Sequence, residues 1–158
     1  MAILIDTGIF YALLDRGDVN HLDAIAIMVH TLEGEFGRAY TTDYVILETT
    51  LLLRARIGAE AVKAMLDFLD RSGITIIVVD EPTFRKALDL LAERPERLSL
   101  CDAASLVLME ELGIRMLASF DLRSFSGLVA NMIGKGYYAS LSDEERKRVR
   151  MLAMEKAD

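Results

Sequence analysis

Two aspartates follow short apolar segments whose composition predicts buried β-strands. Asp6 comes directly after Ile3–Ile5, and Asp121 comes shortly after the segment Arg115–Ala118. In open α/β sheets, ligands bind just beyond the carboxyl ends of the strands. Because parallel strands share that edge, we expect both carboxylates to lie there.

Glu48 is an acidic residue on the apolar face of a predicted helix. Its helical neighbours at positions i−4, i+3 and i+4 are Tyr44, Leu51 and Leu52. A carboxylate on such a face is costly unless it is paired with a cation or ligates one. Three arginines are candidates for a purely structural ion pair: Arg54, Arg56 and Arg85. From Glu48 alone, the ion pair and the metal ligand both stay open.

Asp102 stands at the start of a helix predicted from about Leu100 to Leu112. The face that follows it is largely apolar and contains Ser105, Leu106 and Met109. An aspartate at a helix start can accept hydrogen bonds from free N–H groups and complement the helix dipole. Considered alone, Asp102 is better explained by capping than by chemistry.

The four carboxylates of Asp6, Glu48, Asp102 and Asp121 are more informative as a set. Two carboxylates about 5 Å apart repel each other by about 3 kcal/mol at an effective dielectric constant near 20. Four that converge would either take up protons or bind cations, and oxygen ligands favour Mg²⁺ or Mn²⁺ over zinc. Two such ions can hold a phosphodiester, activate a water molecule and stabilise the leaving oxygen. The set therefore predicts a metal-dependent nuclease.

Composition places the chain among globular proteins and sets one difficulty for this interpretation. The 158 residues are 53% hydrophobic, contain two prolines and fit one domain. The single cysteine, Cys101, cannot form an internal disulfide, and no apolar run approaches the roughly 20 residues of a membrane span. These features predict a cytoplasmic protein that does not enter membranes. The formal charge of −7 is unusual for a nucleic-acid binder, so we expect a local basic patch or a second subunit to supply cations.

Strand and helix patterns alternate along the chain, which predicts a three-layer α/β/α sandwich around a mainly parallel sheet. Four strands are predicted at about 3–5, 39–41, 74–79 and 115–118. The β-branched segment 74–79 is typical of a parallel strand covered on both faces. Helices are predicted at about 7–14, 21–32, 43–57, 59–71, 82–93 and 100–112. We divide the chain into a nuclease domain, residues 1–136, and a helical extension, residues 137–158, that begins its main helix with the capping box Ser142 to Glu145.

Four segments of the chain resemble PIN-domain proteins, and most closely the VapC-type toxins of toxin–antitoxin pairs. They are Ile3–Thr7, Thr41–Glu48, Leu100–Ala104 and Leu117–Phe125. Order, spacing and flanking pattern agree over residues 1 to about 130. Each motif is short, and together they are fairly specific.

The resemblance implies an endoribonuclease that uses Mg²⁺ or Mn²⁺ and a metal-activated water, with Asp6, Glu48, Asp102 and Asp121 as the metal-site acids. It also implies that the hydroxyls of Thr7 and Ser119 support the site, although such hydroxyls can equally cap strand ends. The expected partners are an RNA substrate, a second copy of the chain and a small antitoxin. The chain departs from the pattern at Gly8, where serine or asparagine is frequent, and in its helical extension.

Two other classes of function were weighed. A PIN-fold scaffold or RNA-binding protein would keep the acids and cleave nothing. A receiver domain would need two adjacent acids near the first strand and a lysine after a late strand, and the chain has neither.

The two histidines, His21 and His30, are nine residues apart and are expected at the surface or as caps. The basic cluster Arg146–Arg150 is expected to be a solvated helix face that could contact RNA phosphate.

Overall fold

The computed structural model describes residues 1–155 and contains one parallel sheet. Its strands are β1 (Ala2–Ile5), β2 (Arg38–Thr42), β3 (Thr75–Ile77), β4 (Met116–Ala118) and β5 (Asn131–Ile133). They lie in the order β3-β2-β1-β4-β5, and every adjacent pair is parallel. The most buried strand, β1, is therefore at the centre of the sheet.

Helices cover both faces of this sheet. Those in residues 1–155 are α1 (Thr7–Leu14), α2 (His21–Leu32), α3 (Asp43–Arg56), α4 (Ala59–Ser72), α5 (Glu81–Glu93), α6 (Leu100–Leu112), α7 (Leu122–Phe125), α8 (Tyr137–Ser140) and α9 (Asp143–Glu155). Ile3 and Ile5 of β1 pack into the cluster built by α1 to α4, whereas Leu4 packs with Met109 of α6 on the opposite face. This alternation confirms the predicted three-layer α/β/α sandwich with its helical C-terminus.

The connections between strands reverse direction at the centre of the sheet. After β1 the chain builds β2 and β3 on one side, and it then returns to place β4 and β5 on the other side. The carboxyl ends of β1 and β4 therefore meet where the strand order reverses. In open α/β sheets this is the point at which ligands bind. Asp6 and Ser119, the residues that follow these two strands, lie at this position.

Two parts of the sheet differ from the sequence prediction. The segment 74–79 was predicted as a strand covered on both faces, but β3 is a three-residue edge strand with Ile76 43% exposed. Composition reports an apolar, β-branched segment and cannot report how many strands flank it. The fifth strand and the short helices α7 and α8 were not predicted, because each is only three or four residues long.

The C-terminal helix α9 packs on α2. Val149 is fully buried in a cluster with Ile25, Ala26 and Tyr138. The hydroxyl of Ser142 accepts a hydrogen bond from the N–H of Glu145, as the predicted cap requires. The Glu145 side chain does not complete the capping box, since it bonds Arg148 and His30 instead. Residues 156–158 of the predicted extension lie outside the described residues.

The arginines of α9 are largely engaged with the protein itself. Arg148 forms ion pairs with Glu33, which directly follows α2, and with Glu145, and these contacts lower the pKa of both carboxyl groups. Arg146 forms an ion pair with Asp143. The predicted solvated basic face is therefore partly neutralised, which disfavours the alternative that it binds RNA.

The prediction that both histidines lie at the surface or cap helices was wrong for His30. This side chain is buried, with Nδ1 2.6 Å from the Tyr137 hydroxyl and Nε2 2.7 Å from Glu145. Glu145, whose pKa is lowered to about 2, is ionised and can only accept, so Nε2–H donates to it. Burial raises the pKa of Tyr137 to about 12, so its hydroxyl keeps a proton to donate to Nδ1. His21 is half-buried, with Nδ1 2.6 Å from the carbonyl oxygen of Ala12.

None of the helices in residues 1–155 is both long and apolar enough to cross a bilayer.

Candidate metal centre

Asp6 is the innermost of the four acids. It is 6% exposed and follows β1, and its N–H donates to the carbonyl of Ala118 at the end of β4. Burial and, to a smaller extent, the nearby carboxylates of Asp102 and Glu48 raise its pKa to about 7, against the lowering effect of the Ser119 hydrogen bond. Two of the other predicted ligands are thus near enough to act on Asp6 electrostatically.

Ser119 connects Asp6 to the segment that carries Asp121. Its hydroxyl donates to Asp6 Oδ2 over 2.7 Å and accepts from the N–H of Asp121 over 3.0 Å. The backbone of Ser119 approaches Gly134 so closely that a Cβ there would lie 2.1 Å from the Ser119 carbonyl oxygen. Only glycine fits at position 134. The position of Ser119 is therefore fixed by the hydrogen bonds of its hydroxyl to Asp6 and Asp121 and by the close packing of its backbone against Gly134.

Asp102 and Asp121 both accept hydrogen bonds at helix starts. Asp102 completes a capping box in which Ser99 N–H donates to Asp102 Oδ2 over 3.0 Å. This confirms the capping role that the sequence favoured. Asp121 begins α7, where its two oxygens accept from the N–H and the hydroxyl of Ser124 over 3.0 Å and 2.6 Å. Each carboxylate oxygen has two lone pairs, so capping leaves both groups able to bind a cation.

Asp102 and Asp121 also act on each other. The pKa of Asp102 is raised mainly by burial and partly by the negative charge of Asp121. Asp6 is linked to Asp102 by the same kind of repulsion. The fold therefore brings side chains from the ends of β1 and β4, from α3 and from the start of α6 into one electrostatically coupled group.

Glu48 is half-buried in the second turn of α3 and has no structural ion pair among residues 1–155. Arg85 pairs with Glu81, and Arg56 lies over the ring of Tyr11. The arginine pairing considered for Glu48 is therefore not formed.

Cys101 is buried as predicted, and burial together with the negative charge of Glu48 raises the pKa of its thiol.

The four acids fit a divalent cation by several observations. Within the described residues, none of them lies within 4.0 Å of a lysine, arginine or histidine nitrogen. The hydroxyl of Thr7, next to Asp6, is buried without a hydrogen-bond partner. Over residues 1–155, no three of the four carboxylates bring oxygens within 4.8 Å of one another. A cation held among these four carboxylates would therefore keep several of its own waters, as Mg²⁺ usually does in proteins.

A different group of possible metal ligands in the described part of the chain does bring its ligand atoms within 4.8 Å of one another. His30, Glu35 and Glu145 place ligand atoms within 4.8 Å of one another. An ion there would have to displace the Tyr137 hydroxyl from His30, or Arg148 from Glu145. Because these groups already satisfy one another, we assign the cluster to the attachment of α9.

Sequence reasoning missed the residues that surround Asp102 and Asp121. The loop before α6 and the helix α7 border an open cleft of about 460 Å³, lined by these two acids together with Arg97, Arg123 and Ser124. The segment Pro95–Ser99 was predicted only as a loop. No pattern in that segment indicates that it folds against residues 26 to 29 positions further along the chain.

The sequence of the chain matches that of a known protein family. Residues 3–128, which contain all four acids, match the sequence pattern of the PIN domain. The chain belongs to the PIN-domain family. The resemblance predicted from the four short motifs is thereby confirmed, and the match ends before α8 and α9.

Individual PIN-domain relatives extend the comparison. The chain is 39% identical to the VapC ribonuclease of Archaeoglobus fulgidus, across 99% of this chain and 97% of that protein. It is 24% identical to ribonuclease VapC26 of Mycobacterium tuberculosis, across 80% and 91% of the two chains. The crystal structure of Mycobacterium tuberculosis VapC20, described as a toxin that cleaves the sarcin–ricin loop, has a TM-score of 0.69 at 27% identity, covering 81% and 97%. FitAcB of Neisseria gonorrhoeae shares the fold, with a TM-score of 0.57 at 18% identity, covering 82% and 96%.

Proposed function

We propose that this PIN-domain protein is the toxin of a toxin–antitoxin pair, an endoribonuclease that requires Mg²⁺ or Mn²⁺. The observation that carries the proposal is the convergence of four carboxylates at the point where the strand order reverses, with no protein cation within 4.0 Å of any of them in residues 1–155. Unbalanced negative charge in such a crevice is stable when a divalent cation neutralises it. Similarity to a VapC ribonuclease along nearly the whole chain supports RNA as the substrate.

The roles of the individual residues follow from their surroundings. Asp6, buried and fixed by Ser119, is proposed as the ligand that sets the position of the cation. Asp102 and Asp121 are held at helix starts with lone pairs to spare, and Glu48 reaches the site from α3. We propose all four as metal ligands, supported by Thr7 and Ser119. When bound, the cation supplies Lewis-acid activation of water and neutralises charge on the phosphodiester.

The proposed reaction assigns no covalent role to a side chain. Cys101, the one thiol, is buried, and its raised pKa keeps it protonated, so it is a poor nucleophile. The two histidines form hydrogen bonds with Ala12, Tyr137 and Glu145 and not with the four proposed metal ligands. Hydrolysis by water, with the carboxylates fixing its position, is the chemistry that this set of groups supports.

The proposal is tested by RNA cleavage with and without the metal. We expect the purified protein to cut single-stranded RNA in Mn²⁺ and to stop when EDTA removes the ion. Restoring Mn²⁺ should restore cleavage, which controls for damage by the chelator. Cleavage that continues at the same rate in EDTA would contradict metal dependence.

A second candidate is a PIN-fold RNA-binding protein with weak or no catalysis. The observation that favours it is that, over residues 1–155, no three of the four carboxylates approach within 4.8 Å. Calorimetry with Mn²⁺ separates the two candidates. Tight Mn²⁺ binding without turnover on any RNA would favour the binding protein.

We also propose that the protein forms a homodimer and binds a small antitoxin. Leu47 and Leu51 lie one turn apart on α3, are 59% and 60% exposed, and flank Glu48, so an apolar surface borders the site. A partner that covers this surface would also restrict access to the acids. The division into a domain of residues 1–136 and an extension from 137 stays a prediction, and light scattering would report the number of copies.

A further inference from the structure

The cleft beside Asp102 and Asp121 combines two arginines with the outer half of the proposed metal centre. It measures about 460 Å³, and both Arg97 and Arg123 line it. The cleft is largely open to solvent, so a polymer strand can lie across it. In a chain with a formal charge of −7, two guanidinium groups beside two carboxylates would be expected to pair with them.

Neither arginine forms that pair. No ion pair within 4.0 Å joins Arg97 or Arg123 to a carboxylate in residues 1–155. Arg97 instead donates from Nε to the carbonyl of Arg123 over 3.0 Å, and from Nη2 to the carbonyl of Ser126. Its guanidinium is held by the backbone of α7, and its charge is not cancelled by a neighbouring acid.

A further contact between the loop before α6 and the helix α7 lies next to Arg123. The hydroxyl oxygen of Ser124 lies 3.1 Å from the carbonyl oxygen of Arg97 and 2.6 Å from Asp121 Oδ2, so it contacts both the loop before α6 and the residue that begins α7. The N–H of Ser124 donates to Asp121 Oδ1 over 3.0 Å, the contact through which Asp121 caps α7. The same contacts that orient a proposed metal ligand therefore fix the segment that carries Arg123, an exposed residue at the mouth of the cleft.

Charge balance indicates when this cleft can hold an anion. Its lining includes two arginines and three carboxylates, those of Glu96, Asp102 and Asp121, which sum to −1. One divalent cation at the acids would change the sum to +1. An anion is then attracted to the cleft only when the metal is present, and arginine is well suited to a phosphate because it can donate two parallel hydrogen bonds.

We propose that this cleft is a phosphate-binding subsite in which Arg123 contacts an RNA backbone phosphate that flanks the phosphodiester at the acids, while Arg97 holds the cleft in shape. The proposal rests on the proposed ribonuclease function and adds a residue that determines how the RNA strand lies in the site. RNA is favoured over a protein ligand because the cleft adjoins the proposed centre for phosphodiester hydrolysis and because its net charge would be positive once a divalent cation is bound.

The test measures how RNA affinity depends on salt. A fluorescein-labelled single-stranded RNA is titrated with protein in Ca²⁺, which shares the oxygen preference of Mg²⁺, at several KCl concentrations. Arg123→Ala should weaken binding about fivefold and should reduce the slope of log affinity against log salt by about 0.7, the value for one lost phosphate contact on a single strand. Arg123→Lys should keep the slope, since the charge remains.

Arg115→Ala is the matched control, because Arg115 is exposed and precedes β4, at the amino ends of the strands and therefore on the side of the sheet away from the four acids. It should change neither affinity nor slope. An unchanged slope in Arg123→Ala, with RNA still bound and still cleaved in Mn²⁺, would overturn the subsite and leave the ribonuclease function standing. Failure of the wild-type protein to bind or cleave any RNA would overturn both. Thermal unfolding of each variant shows whether it is folded.

Discussion

Replacing Asp6 with asparagine is expected to abolish RNA cleavage and at the same time to stabilise the metal-free protein. Asparagine keeps the shape of the side chain and can still accept the Ser119 hydrogen bond, but it removes the charge that the cation requires. Losing a residue that merely supports a metal ligand already costs about 10- to 100-fold. We therefore expect Asp6→Asn to lower the cleavage rate by more than about 100-fold.

The gain in stability has a separate cause. The buried Asp6 carboxyl has a pKa of about 7, so in the absence of metal its ionised form is disfavoured in the folded protein. At pH 8 the folded chain must keep that buried charge, which costs up to about 4 kcal/mol by the difference from its ordinary pKa. Asparagine removes this cost, so the free energy of unfolding in EDTA should rise at pH 8.

Activity and stability moving in opposite directions distinguish this effect from simple misfolding. Asp70→Asn serves as the control, because Asp70 is an exposed aspartate near the end of α4. It should leave both the cleavage rate and the free energy of unfolding unchanged. Wild-type cleavage by Asp6→Asn would contradict the role of Asp6, and a loss of stability in EDTA would show that its charge is satisfied by other means.

The second large effect concerns pH. The pKa of Asp6 is raised from 3.8 to about 7 on folding, so this group favours the folded state below pH 3.8 and progressively less as pH rises toward 7. The metal-free protein should lose up to about 4 kcal/mol from this source between pH 4 and pH 7 and then level off. Because a proton and the cation compete for the carboxylate, Mn²⁺ affinity should rise with pH through the same range.

Chemical unfolding in EDTA and calorimetric titration with Mn²⁺, both between pH 5 and pH 8.5, measure these two trends. Because stability and metal binding can depend on pH through other groups as well, the informative quantity is the difference between the wild type and Asp6→Asn at each pH. That difference should grow from pH 5 to 7 and stay constant above it. A constant difference across the range would show that Asp6 has an ordinary pKa and is already ionised at pH 5.

The fold was predictable from sequence where local signals coincide. Helix α6 was predicted at the observed bounds because Asp102 is typical of a helix start and Gly113, with φ of +67°, ends the helix. The structure adds Ser99 as the N-cap residue. Helix α2 was equally clear from its periodic apolar residues. Strand β5 was not predicted, since three residues give no periodicity and its formation depends on pairing with β4. The exposed position of β3 depends likewise on the order of strands.

The candidate site was predictable as a set of residue types and not as a set of contacts. The acids were identified because three follow or begin regular elements and Glu48 interrupts an apolar face. What the sequence could not indicate were long-range pairings, such as Arg97 with the backbone of α7. The burial of His30 against Tyr137, 107 residues away, is of the same kind. Such contacts leave no spacing pattern in the chain.

Anomalous diffraction from crystals grown in Mn²⁺ would show whether Asp6, Glu48, Asp102 and Asp121 hold a divalent cation. We expect a manganese peak beyond the carboxyl ends of β1 and β4, among the oxygens of these four residues. We expect no manganese at His30, Glu35 and Glu145, whose groups satisfy one another. A peak at that second cluster alone, with the four acids free of metal, would refute the proposed metal centre.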